Sequence, residues 1–197
     1  MLNTNIMKYF SYKIEHDFGL APNPFHGFCT LAVCKSSIRG NKKLEIGDWI
    51  IGTGSIALGN FHELIFAMRL EEKISFNEYW VDKRFEKKKP IINGSLVQMY
   101  GDNFYHQVKN SGKWIQENSA HSLINGKKNI DHLKRDTNGK FVLISKEFFY
   151  FGSNSPLIPK KYLQVCCEGR DMKSVSIPTD IAEKFINWLK TNYTIGI

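Results

Sequence analysis

Residues 47–70 read GDWIIGTGSIALGNFHELIFAMRL. Gly47-Asp48 marks a turn, Trp49-Ile50-Ile51-Gly52 is an apolar strand, and Gly59-Asn60 marks a second turn. Residues 62–70 then have the composition of a strand buried on both faces. Gly52 and Gly54 keep the end of the first strand clear of side chains. Two strands in such close succession, with no helix between them, decide the class of fold. The regular strand–helix alternation of a doubly wound sheet is absent.

On the N-terminal side, residues 7–15 (MKYFSYKIE) alternate as a strand. Residues 18–27 form a loop held by Pro22 and Pro24, and 28–35 (FCTLAVCK) read as another strand. On the C-terminal side a helical period begins after Ser75, with Phe76, Tyr79 and Trp80, then Arg84 and Phe85, on related faces. Ser75 and Glu78 have the spacing of a capping box. Residues 94–140, rich in Gly, Asn and Ser, read as a loop-rich insertion with short extended pieces near 96–100, 103–108 and 113–115. Strands return at 141–145 and 147–151. Thr179 can cap a C-terminal helix over 178–193, whose Ile181, Phe185, Trp188 and Leu189 fall on one stripe. The expected fold is a single α+β domain over 1–197: a bent sheet or small β-barrel with flanking helices and a C-terminal helix packed on it.

A chain of 197 residues is long enough to bury a substantial core. Its 42% hydrophobic and 13% aromatic content argues against disorder. Lys and Arg number 27 against 19 Asp and Glu, a net charge of +8. That excess favours anionic partners: nucleic acid first, then nucleotides or an anionic membrane surface. No apolar run approaches the roughly 20 residues of a bilayer span, so no membrane role is expected. The N-terminus MLNTNIMKYF lacks the pattern of a secretory signal, which points to the cytoplasm. The four cysteines (Cys29, Cys34, Cys166 and Cys167) show no C-x-x-C spacing and read as buried or idle thiols. No metal or cofactor is expected.

Four stretches could carry chemistry. Asn23-Pro24-Phe25-His26-Gly27 either presents Phe25 and His26 on a rigid loop or is a buried loop whose His26 bonds only backbone. The tip Gly52-Thr53-Gly54-Ser55 either offers Thr53, Ser55 and backbone amides to a base or phosphate, or is a bulged strand end. It is neither a P-loop nor a G-x-G-x-x-G fingerprint. Tyr79, Trp80 and Phe85 interleave with Arg84, Lys87, Lys88 and Lys89, a pairing of stacking surface and cations that suits nucleic acid. The alternative is core aromatics beside solvated lysines. Gly101-Asp102-Asn103-Phe104-Tyr105-His106, with Ser119 and His121 further on, supplies an Asp and two His for acid–base work. No H-E-x-x-H, H-x-E…C-x-x-C or G-x-S-x-G pattern is present, which leaves zinc and serine hydrolase chemistry unsupported.

Taken together, APNPFHG (21–27), GDWIIGTGS (47–55), EYWVDKRFEKKKP (78–90), GDNFYH (101–106), Ser119-x-His121 and FFYFG (148–152) resemble the second of the nucleotide-modification-associated domain families. The resemblance runs from about Tyr12 to Pro159. It implies a setting near predicted DNA base-modification genes of phages and bacteria. A fainter similarity, over 47–80 alone, is to the EVE and ASCH members of the PUA-like superfamily. It implies a small barrel holding a flipped or modified base near Thr53, Ser55, Tyr79 and Trp80.

These readings lead to a module that binds a nucleotide or nucleic acid in DNA base modification or phage defence. It recognises a modified base in a pocket joining the 23–27 loop, the 52–55 tip and the 101–106 stretch. Phe25, Trp80 or Tyr105 would stack on the base, Asn23, Ser55, Asp102 or Asn103 would bond its edge, and Arg39, Arg84 and Lys87–Lys89 would meet phosphate. One alternative is an enzyme acting on a base or nucleotide, with His26, His106 or His121 as acid–base group and Asp102 as its partner. Another is a protein that sequesters a small nucleotide signal.

Overall fold

A computed structural model describes residues 7–109, 111–169, 172–173 and 177–197. In chain order the first elements are β1 (Tyr9–Lys13), β2 (Cys29–Leu31), α1 (Ser36–Arg39), β3 (Trp49–Thr53), β4 (Leu64–Arg69) and β5 (Glu72–Ser75). There follow α2 (Phe76–Val81), α3 (Leu96–Met99), β6 (Tyr105–Gln107), β7 (Trp114–Gln116) and α4 (Ile130–Thr137). The chain closes with β8 (Phe141–Ser145), β9 (Phe148–Tyr150), β10 (Met172–Lys173) and α5 (Thr179–Asn192). The fold is α+β. Among the described residues there are three open sheets and no closed barrel, so the barrel form of the expected fold does not occur. The largest sheet ends on the two-residue β10 and the three-residue β9, edges too short to pair around into a cylinder.

Backbone proximity divides the chain into two units: Met1–His16, Lys43–Glu71 and Lys146–Ile197, and Asp17–Lys42 with Glu72–Ser145. In the first unit the strand order is β10-β1-β3-β4-β9, with β1 and β3 parallel and the other pairs antiparallel. Gly52 is required here by close approach, because a Cβ would lie 2.2 Å from Phe66 Cε1 on the neighbouring strand. Ala182, Phe185, Ile186 and Leu189 of α5 are buried at helical spacing against Trp49, Ile51 and Phe149. The helix starts at Thr179 with Pro178, not Thr179, in the capping position.

In the second unit β8 lies between β2 and β5, all antiparallel, and β6 pairs with β7 as a hairpin. Phe76, Tyr79, Phe85, Phe104, Tyr105, Val142 and Ile144 fill its core. The Ser75–Glu78 capping box forms as expected: the Glu78 N–H donates to Ser75 Oγ at 3.2 Å and the Ser75 N–H to Glu78 Oε2 at 2.7 Å. Residues 96–99, expected extended, are helical. Ser95 and Gln98 make a second capping box that outweighs the β-branched Val97. The strand expected over 28–35 stops at Leu31. The chain then turns into α1, and that turn positions the site.

Candidate active site

Cys34 and Lys35 both have left-handed backbone, φ 54° and 31°. Two consecutive non-glycine residues in this region cost roughly 1–2 kcal/mol each, and such strain persists only where the surroundings enforce it. Here the constraints are visible. The Cys34 N–H donates to Asp136 Oδ1 at 2.9 Å, and Arg39 Nε donates to the Cys34 carbonyl at 2.9 Å. Arg39, fully buried, also donates through Nη1 to the Phe141 carbonyl (3.0 Å) and through Nη2 to the Asp136 carbonyl (2.5 Å). One guanidinium thus ties α1, α4 and β8 around the elbow that carries the thiol.

The Cys34 Sγ lies 3.8 Å from His121 Nε2, and His121 Nδ1 lies 2.7 Å from Asp136 Oδ2. His121 is presented by a turn in which the Ser122 N–H donates to the Ser119 carbonyl and the His121 N–H to Ser119 Oγ. Asp136 is fully buried. Besides His121 and Cys34 it accepts from the Tyr105 hydroxyl (Oδ2, 3.0 Å) and from Arg135 Nε (Oδ1, 3.1 Å). Burial works against ionisation of both partners. Their mutual hydrogen bond nevertheless prevails, aided by Cys34 at the histidine and Arg135 at the carboxylate. His121 is raised from 6.5 to about 9 and Asp136 lowered from 3.8 to about 2. At neutral pH the pair is an imidazolium–carboxylate. His132, edge-on to His121 at 4.5 Å, is driven down by burial and by the His121 and Arg135 charges.

Cys34, His121 and Asp136 are also residue types that hold metals, with their ligand atoms within 4.8 Å of one another. The three close into a triangle, but hydrogen bonds already occupy it. Each imidazole nitrogen faces a different partner, and both Asp136 oxygens already accept two donors. A thiol, an imidazole and an orienting carboxylate in sequence form the nucleophile–base–orienter constellation of covalent catalysis.

His121, Tyr105 and Arg39 belong to this site. Cys34, Asp136 and Arg135 do as well, and no sequence motif had singled them out. Asn23, Tyr79, Lys88, Asp102 and Asn103 instead form a sealed polar hub with Thr30. Lys88 Nζ donates to the Asn23 carbonyl (3.0 Å), Asn23 Oδ1 (2.6 Å) and the Phe28 carbonyl (3.0 Å). Thr30 and Tyr79 each donate to Asp102 at 2.7 Å, and Asn103 Nδ2 donates to the Tyr79 carbonyl at 2.9 Å. Burial lowers Lys88 and raises Asp102, each partly offset by the other. Trp80, Lys89 and His106 are together elsewhere on the unit. His106 stacks on Trp80 at 4.2 Å, Lys89 Nζ lies 4.0 Å over the same indole, and Glu117 Oε1 meets His106 Nε2 at 2.8 Å. A cleft of about 410 Å³ lined by Trp80, Lys89, Pro90, Ile92, Glu117 and Asn118 opens beside them. His26 is exposed at φ 61°, and half-buried Phe25 packs against Gly19. Arg84 is paired with Glu72 and Asp82, and Lys87 is exposed. Thr53 and Ser55 are buried in the first unit.

No helix among the described residues is long and apolar enough to cross a membrane. No curated protein and no solved structure matches the chain. Residues 6–197 do match a family, described as nucleotide modification associated domain 2. That match takes in the elbow, the histidine turn and α4, and extends the resemblance read from the motifs to nearly the whole sequence. The chain belongs to the nucleotide modification associated domain 2 family.

Proposed function

We propose that the protein is a cysteine-dependent enzyme acting on a nucleotide or nucleic-acid base that carries a carbonyl-linked group. Cys34 is the nucleophile, His121 the proton carrier and Asp136 the positioning residue. The observation that carries this reading is the order of contacts, Cys34 Sγ to His121 Nε2 and His121 Nδ1 to Asp136 Oδ2, starting on a left-handed elbow. In this reading Sγ reacts as the thiolate, with the His121 ring 3.8 Å away as its counter-ion. Sγ attacks the carbonyl carbon and an S–C bond forms. The C–N or C–O bond to the leaving group breaks as that group takes the His121 proton. Water then attacks the thioester and gives a proton to His121, and the S–C bond breaks to restore Cys34. Family membership and the +8 charge favour a nucleotide-linked substrate.

Intact-mass measurement after incubation with N-acylated and ester-linked nucleotides tests this. The expected result is an adduct of the acyl mass on Cys34, absent from Cys34→Ala, with release of the deacylated nucleotide. A folded protein that forms no adduct and alters none of them would count against the reading. Recognition of a modified base without turnover is a second reading, favoured by the Trp80–Lys89–Glu117–Asn118 cleft. It expects nucleotide binding that is lost in Trp80→Ala and kept in Cys34→Ala.

A further inference from the structure

Arg135 is partnered unlike Arg39 and Arg84. Arg39 is committed to three main-chain carbonyls and Arg84 to the carboxylates of Glu72 and Asp82. Arg135 bonds Asp136 Oδ1 through Nε alone, and its side chain is 47% exposed. Among the described residues its Nη1 and Nη2 make no hydrogen bond. A guanidinium is thus fixed at one edge against the carboxylate that orients His121, with its terminal fork turned to no protein group.

The charge around the relay points the same way. Among the charged side chains bonded to Cys34 and Asp136, His121, Arg39 and Arg135 contribute three cations and Asp136 one carboxylate, a surplus of two. A thiolate on Cys34 would still leave a surplus of one. A site of this sign selects an anion, and a guanidinium end presents two parallel donors matched to two oxygens of a phosphate.

We propose that Arg135 is the phosphate anchor of the Cys34 site, gripping a substrate phosphate through Nη1 and Nη2 while Nε remains on Asp136. This rests on the reading of Cys34 as nucleophile and narrows its substrate to phosphorylated species, either a mononucleotide or a polynucleotide, and not a free base or nucleoside. Because the same guanidinium touches Asp136, phosphate binding and the orientation of His121 are mechanically joined.

The test is protection of Cys34 from iodoacetamide, followed by peptide mapping, with thymidine, thymidine 5′-monophosphate, a short oligothymidylate and inorganic phosphate as probes. Protection is a ratio of rates within one variant, so each variant is its own reference. The monophosphate, the oligonucleotide or both should slow alkylation of the wild type, and thymidine should not. Arg135→Gln should weaken that protection about tenfold or more, the loss expected when charge-assisted hydrogen bonds are removed. Arg135→Lys, which keeps charge without the fork, should fall between. Protection by the monophosphate alone identifies a mononucleotide site, and stronger protection by the oligonucleotide identifies a polynucleotide site. Equal protection by thymidine, protection that survives Arg135→Gln, or none from any phosphate would overturn the proposal. Equilibrium dialysis of the labelled monophosphate reads binding independently of the thiol. An unreactive Cys34 with intact Arg135-dependent binding removes the nucleophile reading, whereas a reactive Cys34 without such binding removes only the anchor.

Discussion

Asp136 accepts from Cys34 N–H, Arg135 Nε, His121 Nδ1 and the Tyr105 hydroxyl, so its carboxylate holds the elbow, the histidine and the β6 hairpin in one arrangement. Asp136→Asn replaces one acceptor oxygen with a donor facing other donors. Thermal and urea unfolding should show a loss of about 3 kcal/mol, as when one partner is removed from a buried ion pair. The pair also fixes a pH dependence. His121 is raised from 6.5 to about 9, so its contribution is complete below 6.5 and is lost as pH rises through 9. Asp136 is lowered from 3.8 to about 2, so its contribution is present above 3.8 and is lost as pH falls through 2. Both shifts describe one interaction, counted once at about 2 to 3 kcal/mol. Urea unfolding from pH 6 to pH 10 should show that decline in the wild type and a flatter curve in His121→Gln. Cys29 supplies a contrast within the same chain, since burial pushes its thiol up to about 12.

Between β2 and α1 the chain carries Cys34 on a strained turn, and Gly139 makes room for the arginine that closes it. A Cβ at Gly139 would lie 2.5 Å from the Arg39 guanidinium, which its three carbonyl partners hold in place. Gly139→Ala should therefore destabilise the fold by about 1–3 kcal/mol and slow alkylation of Cys34. Ser75→Ala should cost about 1 kcal/mol through the α2 cap and leave Cys34 reactivity unchanged. The difference between the two separates damage to the elbow from general loss of stability. Elements of this kind were unequally legible in the sequence. The α2 cap was readable because Ser75 and Glu78 bond each other locally. The elbow was not. FCTLAVCK reads as an apolar strand to its end, and the force that turns Cys34 comes from Asp136, 102 residues away. The one local trace is the polar Lys35-Ser36-Ser37 directly after the apolar run.

Across the whole chain the +8 excess overstates what a ligand meets. Arg39 and Lys88 are buried on main-chain carbonyls, and Arg84 is paired with Glu72 and Asp82. Oligonucleotide affinity measured against salt should weaken as salt rises, with a slope corresponding to only a few phosphates. Arg135→Gln should reduce that slope by about one contact. The α+β class was legible because strand and helix periods are written locally along the chain. The division of the strands among three open sheets was not. β5 follows β4 after two residues but pairs with β8, a choice made by partners distant in sequence. The polar residues Asn23, Asp102 and Asn103 stood out as candidates by type. Their burial and their bonds to Lys88, Thr30 and Tyr79, which make them a hub, depend on contacts the sequence does not display.

Time-resolved iodoacetamide labelling at neutral pH, mapped to individual cysteines, asks most directly whether Cys34, His121 and Asp136 act as one relay. Cys34 should react first while buried Cys29, Cys166 and Cys167 remain unmodified. In folded His121→Gln its rate should fall by about tenfold or more as the imidazolium is lost. A Cys34 that reacts no faster than a free cysteine peptide, and at the same rate in His121→Gln, would contradict the account.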